Sequence, residues 1–204
     1  ILDDAVNIRG LKRMAADFAG KVPPPKCAPS TGKTVAVIGG GPGGLSAAYY
    51  LQLMGHQVTV YEMLPELGGM LRYGIPNYRL PKDRLGEDIQ AILDTGVQVK
   101  HGLRIGTDVT VQELRASYDA VLITIGASTD KKLGIEGEDA EGVMSAVRFL
   151  RDVGKGINPD LAGQEVAIVG GGNVSMDAVR SAVRLGAKKV SILYRRRIAD
   201  MTAL

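Results

Sequence analysis

The sequence predicts an α/β chain built on parallel strands, on three observations. Short apolar runs alternate with longer stretches of helical character. The run Thr34–Ile38 is all β-branched or small, as expected when both faces of a parallel strand are covered. A glycine-rich strand–turn–helix stretch also occurs twice, as VAVIGGGPGGLSAAYYLQLMGHQVTVYE from Val35 to Glu62 and as VAIVGGGNVSMDAVRSAVRLGAKKVSILYR from Val166 to Arg195. Val35 and Val166, like Gly39 and Gly170, stand 131 residues apart, a repeat on the scale of a domain.

The elements follow in order. Val6, Ile8, Leu11, Met14 and Phe18 recur at roughly helical spacing among basic residues, predicting a helix over 6–19. In VPPPKCAPSTGK three successive prolines bar helix and strand, because proline lacks an amide donor and holds the backbone extended, so this is a linker. The strand Thr34–Ile38 runs through a glycine turn into a helix over 43–54, with Gly55 as its C-cap. A strand at 58–61 comes next, then a helix over 84–95 closed by Gly96, a short strand at 97–100 and a helical turn at 109–115. A buried strand at 120–125 ends in Gly126. The polar connector STDKKLGIEGEDAEG leads to a helix over 145–153, and the second strand–turn–helix unit begins at Val166. Such alternation predicts a doubly wound sheet. The second unit contains strand, helix and second strand only, short of a closed mononucleotide-binding half, so the chain reads as incomplete.

Composition excludes several classes. The 204 residues are enough for a substantial core, and the composition is that of a soluble globular protein, rich in glycine and without tryptophan. No apolar run approaches the roughly 20 residues that span a bilayer, and the start shows no signal-peptide pattern, so a cytoplasmic location is expected. Lys and Arg number 25 against 22 Asp and Glu, and Arg195, Arg196 and Arg197 account for the whole excess of +3. A charge so local argues against a nucleic-acid or membrane surface. The single Cys27 allows no internal disulfide and no CxxC pair, and an iron–sulfur cluster takes about four thiolates. Redox chemistry here needs a bound cofactor, and no resident metal is expected.

The two turns are where the chemistry points. Gly39, Gly41 and Gly44 form GxGxxG directly after a strand: the first glycine permits the tight turn, the second admits a pyrophosphate, and the third lets helix pack on strand. The phosphates of such a ligand meet the amides of a helix N-terminus. Glu62, 18 residues after Gly44, can accept hydrogen bonds from adenosine ribose hydroxyls and would repel a 2′-phosphate. In the second unit Gly170 and Gly172 persist, while Ser175 takes the third position. No acid follows its second strand. With a one- or two-residue shift, Tyr194 or Arg195 stands in the place of Glu62, and guanidinium groups suit a 2′-phosphate, which favours NADPH over NADH. The alternative is that Arg195 to Arg197 simply form a solvated strand end. His56 and His101 lack the carboxylate or serine partner of a catalytic triad and read as surface residues.

GGMLRYGIPNYRLPK, taken with TIGA and GGGNVSMD, closely resembles the glutamate synthase small-subunit family of FAD- and NADPH-binding oxidoreductases, related to the flavin domains of dihydropyrimidine dehydrogenase. The resemblance implies two Rossmann-like dinucleotide-binding domains, the second incomplete, behind a short N-terminal helix. The implied division is a helical segment over 1–22 that follows an absent iron–sulfur domain, a linker over 23–33, an FAD-binding part over 34–145 and an NADPH-binding part over 146–204. It implies FAD contacts from Gly39, Gly40, Gly41, Pro42, Gly43 and Gly44 and from Glu62, Gly69, Met70 and Arg79, with Ile105 and Gly126 nearby, the doublet Gly68–Gly69 allowing close packing against the flavin's ribityl and pyrophosphate. For NADPH it implies Asn173, Val174, Ser175, Arg195 and Arg196, beside Gly170 and Gly172.

The expected function is transfer of hydride from NADPH to FAD and of electrons onward to an iron–sulfur protein or larger catalytic subunit, with no protein nucleophile or base. A disulfide reductase of similar fold is disfavoured by the missing CxxC. A catalytically silent nucleotide-binding fragment is the alternative from another class. A dehydrogenase with one nucleotide leaves the repeat unexplained.

Overall fold

Four buried residues in a row, Val35 to Ile38, place β1 (Thr34–Ile38) at the centre of the first sheet. It pairs in parallel with β2 (Gln57–Glu62) on one side and with β4 (Ala120–Ile123) on the other, and β3 (Gln98–His101) lies beyond β2, giving the order β3-β2-β1-β4. Ile38 stands level with both Tyr61 and Ile123, so three strand ends open together at one edge of the sheet. The computed structural model describes residues 5–20 and 22–203; residues 1–4 and Lys21 of the predicted N-terminal segment, and Leu204, lie outside the described residues.

Both faces of the central strands β1 and β2 are covered, which is why β1 reads as an unbroken apolar run, whereas β4, expected to be buried, is largely exposed, with Ile123 at 59%. On one face Val35, Val37, Val58 and Val60 pack against Leu45 and Ala48 of α2 (Pro42–Leu53) and Leu85 and Ile89 of α4 (Lys82–Leu93). On the other, Ala36, Ile38 and Tyr61 meet Leu114 of α5 (Val111–Ser117). Full burial of each Val, Leu or Ile side chain among these is worth about 1.5–3 kcal/mol.

The second unit repeats the pattern. β5 (Glu165–Val169) pairs in parallel with β6 (Lys189–Leu193), and Ile168 packs against Ala178 and Ala182 of α7 (Asn173–Arg184) and Phe149 and Leu150 of α6 (Ala146–Gly154). A short 3-10 helix, Ile198–Asp200, follows β6.

Boundaries shift where local chemistry overrides periodicity. α4 begins two residues earlier than expected because Pro81, with φ −55°, is already poised at its N-cap. The predicted turn at 109–115 is a helix over Val111–Ser117, closed by a capping box in which Thr110 Oγ1 accepts the Glu113 amide at 3.1 Å and the Glu113 carboxylate accepts the Thr110 amide at 2.7 Å. β4 ends at Ile123, two residues early, level with Ile38, the last residue of its partner β1; beyond it the Thr124 amide and hydroxyl both donate to the Ile38 carbonyl at 2.9 Å. The four-residue helix α3 (Met70–Tyr73) carries no periodicity to predict it. The N-terminal helix α1 (Ile8–Phe18) is two residues shorter at its start and one at its end than expected, and buries none of its residues. The proline-rich linker is regular nowhere, yet it is anchored: Ala28 N donates to Leu53 O at 2.8 Å and Thr31 N to Gly55 O at 3.0 Å.

Candidate functional site

The first glycine turn sits where β1 ends and α2 begins. Gly39 has φ +105°, and a Cβ there would stand 2.5 Å from the Thr124 carbonyl oxygen. A Cβ on Gly44 would collide with the Gly39 carbonyl, and one on Gly40 with the side chain of Leu67. Gly39 and Gly44 are demanded by backbone packing, whereas at Gly40 the buried Leu67 side chain would have to shift. Gly41 and Gly43 differ: a methyl at Gly41 would meet only the Gly69 Cα, at 3.8 Å, and at Gly43 it would meet nothing within 4 Å. The turn is therefore closed toward the protein and open outward at two positions, with Pro42 as first helical residue and no side chain capping α2. That is the shape a pyrophosphate cradle requires.

Glu62, the last residue of β2, is buried, and both its oxygens are engaged: Oε2 accepts the Gly40 amide and Oε1 the Leu64 amide, each at 2.8 Å. A carboxylate offers about four acceptor positions, so ribose hydroxyls could still be held there. The doublet lies against the same turn, with Gly68 N donating to Gly40 O at 2.8 Å, and a Cβ on Gly69 would stand 2.7 Å from Gly41 Cα. The two backbones lie close together, and it is position 69, with φ +51°, that has to be glycine. These residues fit an adenosine diphosphate moiety such as that of FAD.

The remaining first-unit candidates spread out. Met70 opens α3 and folds its own methyl beneath Gly74. Gly126 lies exposed beyond β4 with open space at its Cα. Ile105 packs with the Leu114 cluster under the sheet. Arg79 is drawn to the second unit, where its Nη1 donates to Asp177 Oδ2 at 2.9 Å.

In the second turn Gly170 has φ +130°, and its position is closed by the Ser175 hydroxyl, 2.5 Å from where a Cβ would be. Ser175 is buried at the place of Gly44, so a small residue serves the close approach of helix and strand. Gly171 lies under the Tyr194 ring, and Gly172 is the N-cap of α7, which no side chain caps. Asn173 and Val174 begin that helix, both exposed. After β6, Arg197 is tied to Asp200 at 3.1 Å, whereas Arg195 and Arg196 are exposed and form no ion pair among the described residues. Two free guanidinium groups beside a glycine turn fit a phosphorylated ribose.

His56 Nδ1 pairs with Thr31 Oγ1 at 2.8 Å and His101 is exposed at the end of β3. Among the described residues no group of three His, Cys, Asp or Glu could hold a metal, and no helix is long and apolar enough to cross a membrane. Sequence reasoning gives Leu67 no role, has Thr124 only as the first residue of TIGA, and weighs Tyr194 only as an alternative to Arg195; in the structure all three close the glycine turns from behind.

Fold and turns together define an α/β chain of the dinucleotide-binding class, with a glycine turn between strand and helix in each of two Rossmann-like units. The chain belongs to the pyridine nucleotide-disulphide oxidoreductase family, whose pattern matches residues 33–202, and the cofactors of this fold are FAD and NADPH. Cys27 is the only cysteine of these 204 residues, so the dithiol half of that name has no counterpart in them. The chain is 44% identical over 228 residues to the NADP(+)-dependent formate dehydrogenase subunit beta of Moorella thermoacetica, covering 99% of this chain and 32% of that one. It is 37% identical over 205 residues to the NADPH glutamate synthase small chain of Escherichia coli (strain K12), covering 94% and 43%. Among solved structures it resembles Mycobacterium tuberculosis FprA in complex with NADPH, with a TM-score of 0.71, 25% identity, and 86% of this chain and 45% of that one covered. The resemblance to glutamate synthase small subunits drawn from the motifs holds. The chain spans less than half the length of these relatives.

Proposed function

We propose that residues 34–145 bind FAD and residues 146–204 contribute to an NADPH site, and that the protein passes reducing equivalents between the two and on to an iron–sulfur partner or larger catalytic subunit. The carrying observation is the pair of uncapped helix N-termini behind glycine turns, one beside the buried acid Glu62 and the other beside the unpaired cations Arg195 and Arg196. When bound, NADPH supplies a hydride that the flavin accepts and can release as single electrons.

The chain's own part is placement. Gly41 and Gly43 leave room for phosphates at the start of α2, and Glu62 orients the ribose of the first ligand. Arg195 and Arg196 select the 2′-phosphate of the second. No side chain is assigned as nucleophile or base. A larger assembly is supported by the names of the relatives, which are a subunit beta and a small chain.

A second reading, a nucleotide-binding part without turnover of its own, is favoured by the short span of the relatives that these residues cover. An anaerobic visible spectrum before and after NADPH separates the two. Flavin bands that bleach support the redox module. A colourless protein that refuses added FAD rejects it for these residues.

A further inference from the structure

Tyr78 and Arg79 stand in a loop that the chain clasps onto itself. Arg79 N and Leu80 N both donate to Pro76 O, at 3.0 and 3.1 Å, and Asn77 Oδ1 accepts the Lys82 amide at 2.9 Å. Lys82 Nζ donates to the carbonyls of Leu71 and Ile75, and burial together with the nearby Arg72 lowers its pKa. The loop is thus held from within, and its two long side chains reach α7 of the other unit.

On α7, Asp177, Ser181 and Arg184 share one face by their spacing of four and three. The Asp177 side chain is only 7% exposed, and its close cation, Arg79 at 2.9 Å, comes from the first unit; Arg180, on its own helix, is 3.9 Å away. The Tyr78 hydroxyl lies 3.4 Å from both Asp177 Oδ1 and the Asp177 carbonyl, and the Arg184 guanidinium covers the Tyr78 ring 4.0 Å from its centroid. A carboxylate this deep requires a cation, and removing one member of such a pair costs far more than the pair contributes. Asp177 is four residues into α7, so whatever holds it also holds the turn Gly170–Gly172.

We propose that Asp177 is a positioning residue: through Arg79 and Tyr78 it locks the helix of the second glycine turn onto the loop 76–81 of the first unit, fixing the separation of the two turns. The effect on electron transfer rests on the two-cofactor reading above, whereas the structural lock does not.

The test is amide hydrogen exchange on the full-length protein, comparing wild type with Asp177→Ala, Arg79→Ala, the double variant and the near-isosteric Asp177→Asn. Either single alanine variant is expected to exchange about tenfold faster at the Leu80 amide and the first two turns of α7, with no further rise in the double variant. Unchanged exchange in Asp177→Ala and Asp177→Asn, or additive rises in the double variant, overturns the lock. Should Asp177→Ala fail to fold, Asp177→Asn decides alone. In the flavin-loaded protein Asp177→Asn is expected to slow bleaching by NADPH about tenfold, while flavin content and reduction by dithionite stay at the wild-type level. A loss of flavin content in step with the rate overturns the positioning role. If the wild type binds no flavin, the two-cofactor reading fails, and the exchange data still decide the lock.

Discussion

Glu62 and Gly40 are joined at 2.8 Å, carboxylate oxygen to turn amide, and the second oxygen of Glu62 takes the Leu64 amide at the same distance. The acid therefore shapes the turn as well as offering itself to a ribose. Replacing Glu62 by Ala leaves the buried Gly40 amide and the half-buried Leu64 amide without their acceptor and is expected to cost about 1–3 kcal/mol, read by urea unfolding. Flavin content should fall with it. Full occupancy in Glu62→Ala would remove the acid from the binding site.

Gly43 and Gly44 are adjacent, yet their surroundings predict opposite outcomes. Gly44→Ala drives a methyl into the Gly39 carbonyl and is expected to lose about 1–3 kcal/mol or more of stability. Gly43→Ala meets nothing within 4 Å and replaces a poor helix former, so stability should hold or rise by up to about 1 kcal/mol. Flavin binding should nevertheless weaken in Gly43→Ala, because the methyl enters the space assigned to phosphate. Titration with FAD beside thermal unfolding separates the two effects.

Arg195 and Arg196 are exposed and unpaired, so exchanging both for Ala should leave the melting temperature unchanged. In the complete protein the KM for NADPH is expected to rise about 10- to 100-fold, the value of one or two charge-assisted hydrogen bonds, with little change for NADH. Steady-state kinetics with both nucleotides checks this, and equal losses would reject recognition of the 2′-phosphate.

Asp119 fastens the start of β4 to the start of β1. Hydrogen bonds from Lys33 and from the Thr34 amide and hydroxyl lower its pKa from 3.8 to about 2. A carboxyl with a depressed folded value stabilises fully above its unfolded value and loses that contribution as pH falls through the folded one. Stability should therefore drop between about pH 4 and pH 2, and Asp119→Asn should flatten that part of the curve. Urea midpoints measured across this range provide the check.

Much of the fold was legible because it rests on local signals. The apolar runs at β1 and β2, the capping glycines and the prolines act within a few residues, and Gly39, Gly41 and Gly44 announce their turn by spacing alone. The short helix α3 and the early end of β4 were not legible, because the one lacks a period and the other is set by where its partner β1 ends, at Ile38 across the sheet.

The sequence by itself determined the class of the chain, the two turns and the contrast of Glu62 with Arg195, since these follow from residue type and spacing. Only the tertiary structure decided which glycines serve packing and which face open space, that Arg197 is engaged while Arg195 and Arg196 are free, and that Arg79 reaches Asp177 across 98 positions of chain. Such facts depend on which distant atoms come within a few ångströms of one another, and periodicity along a chain carries no record of that.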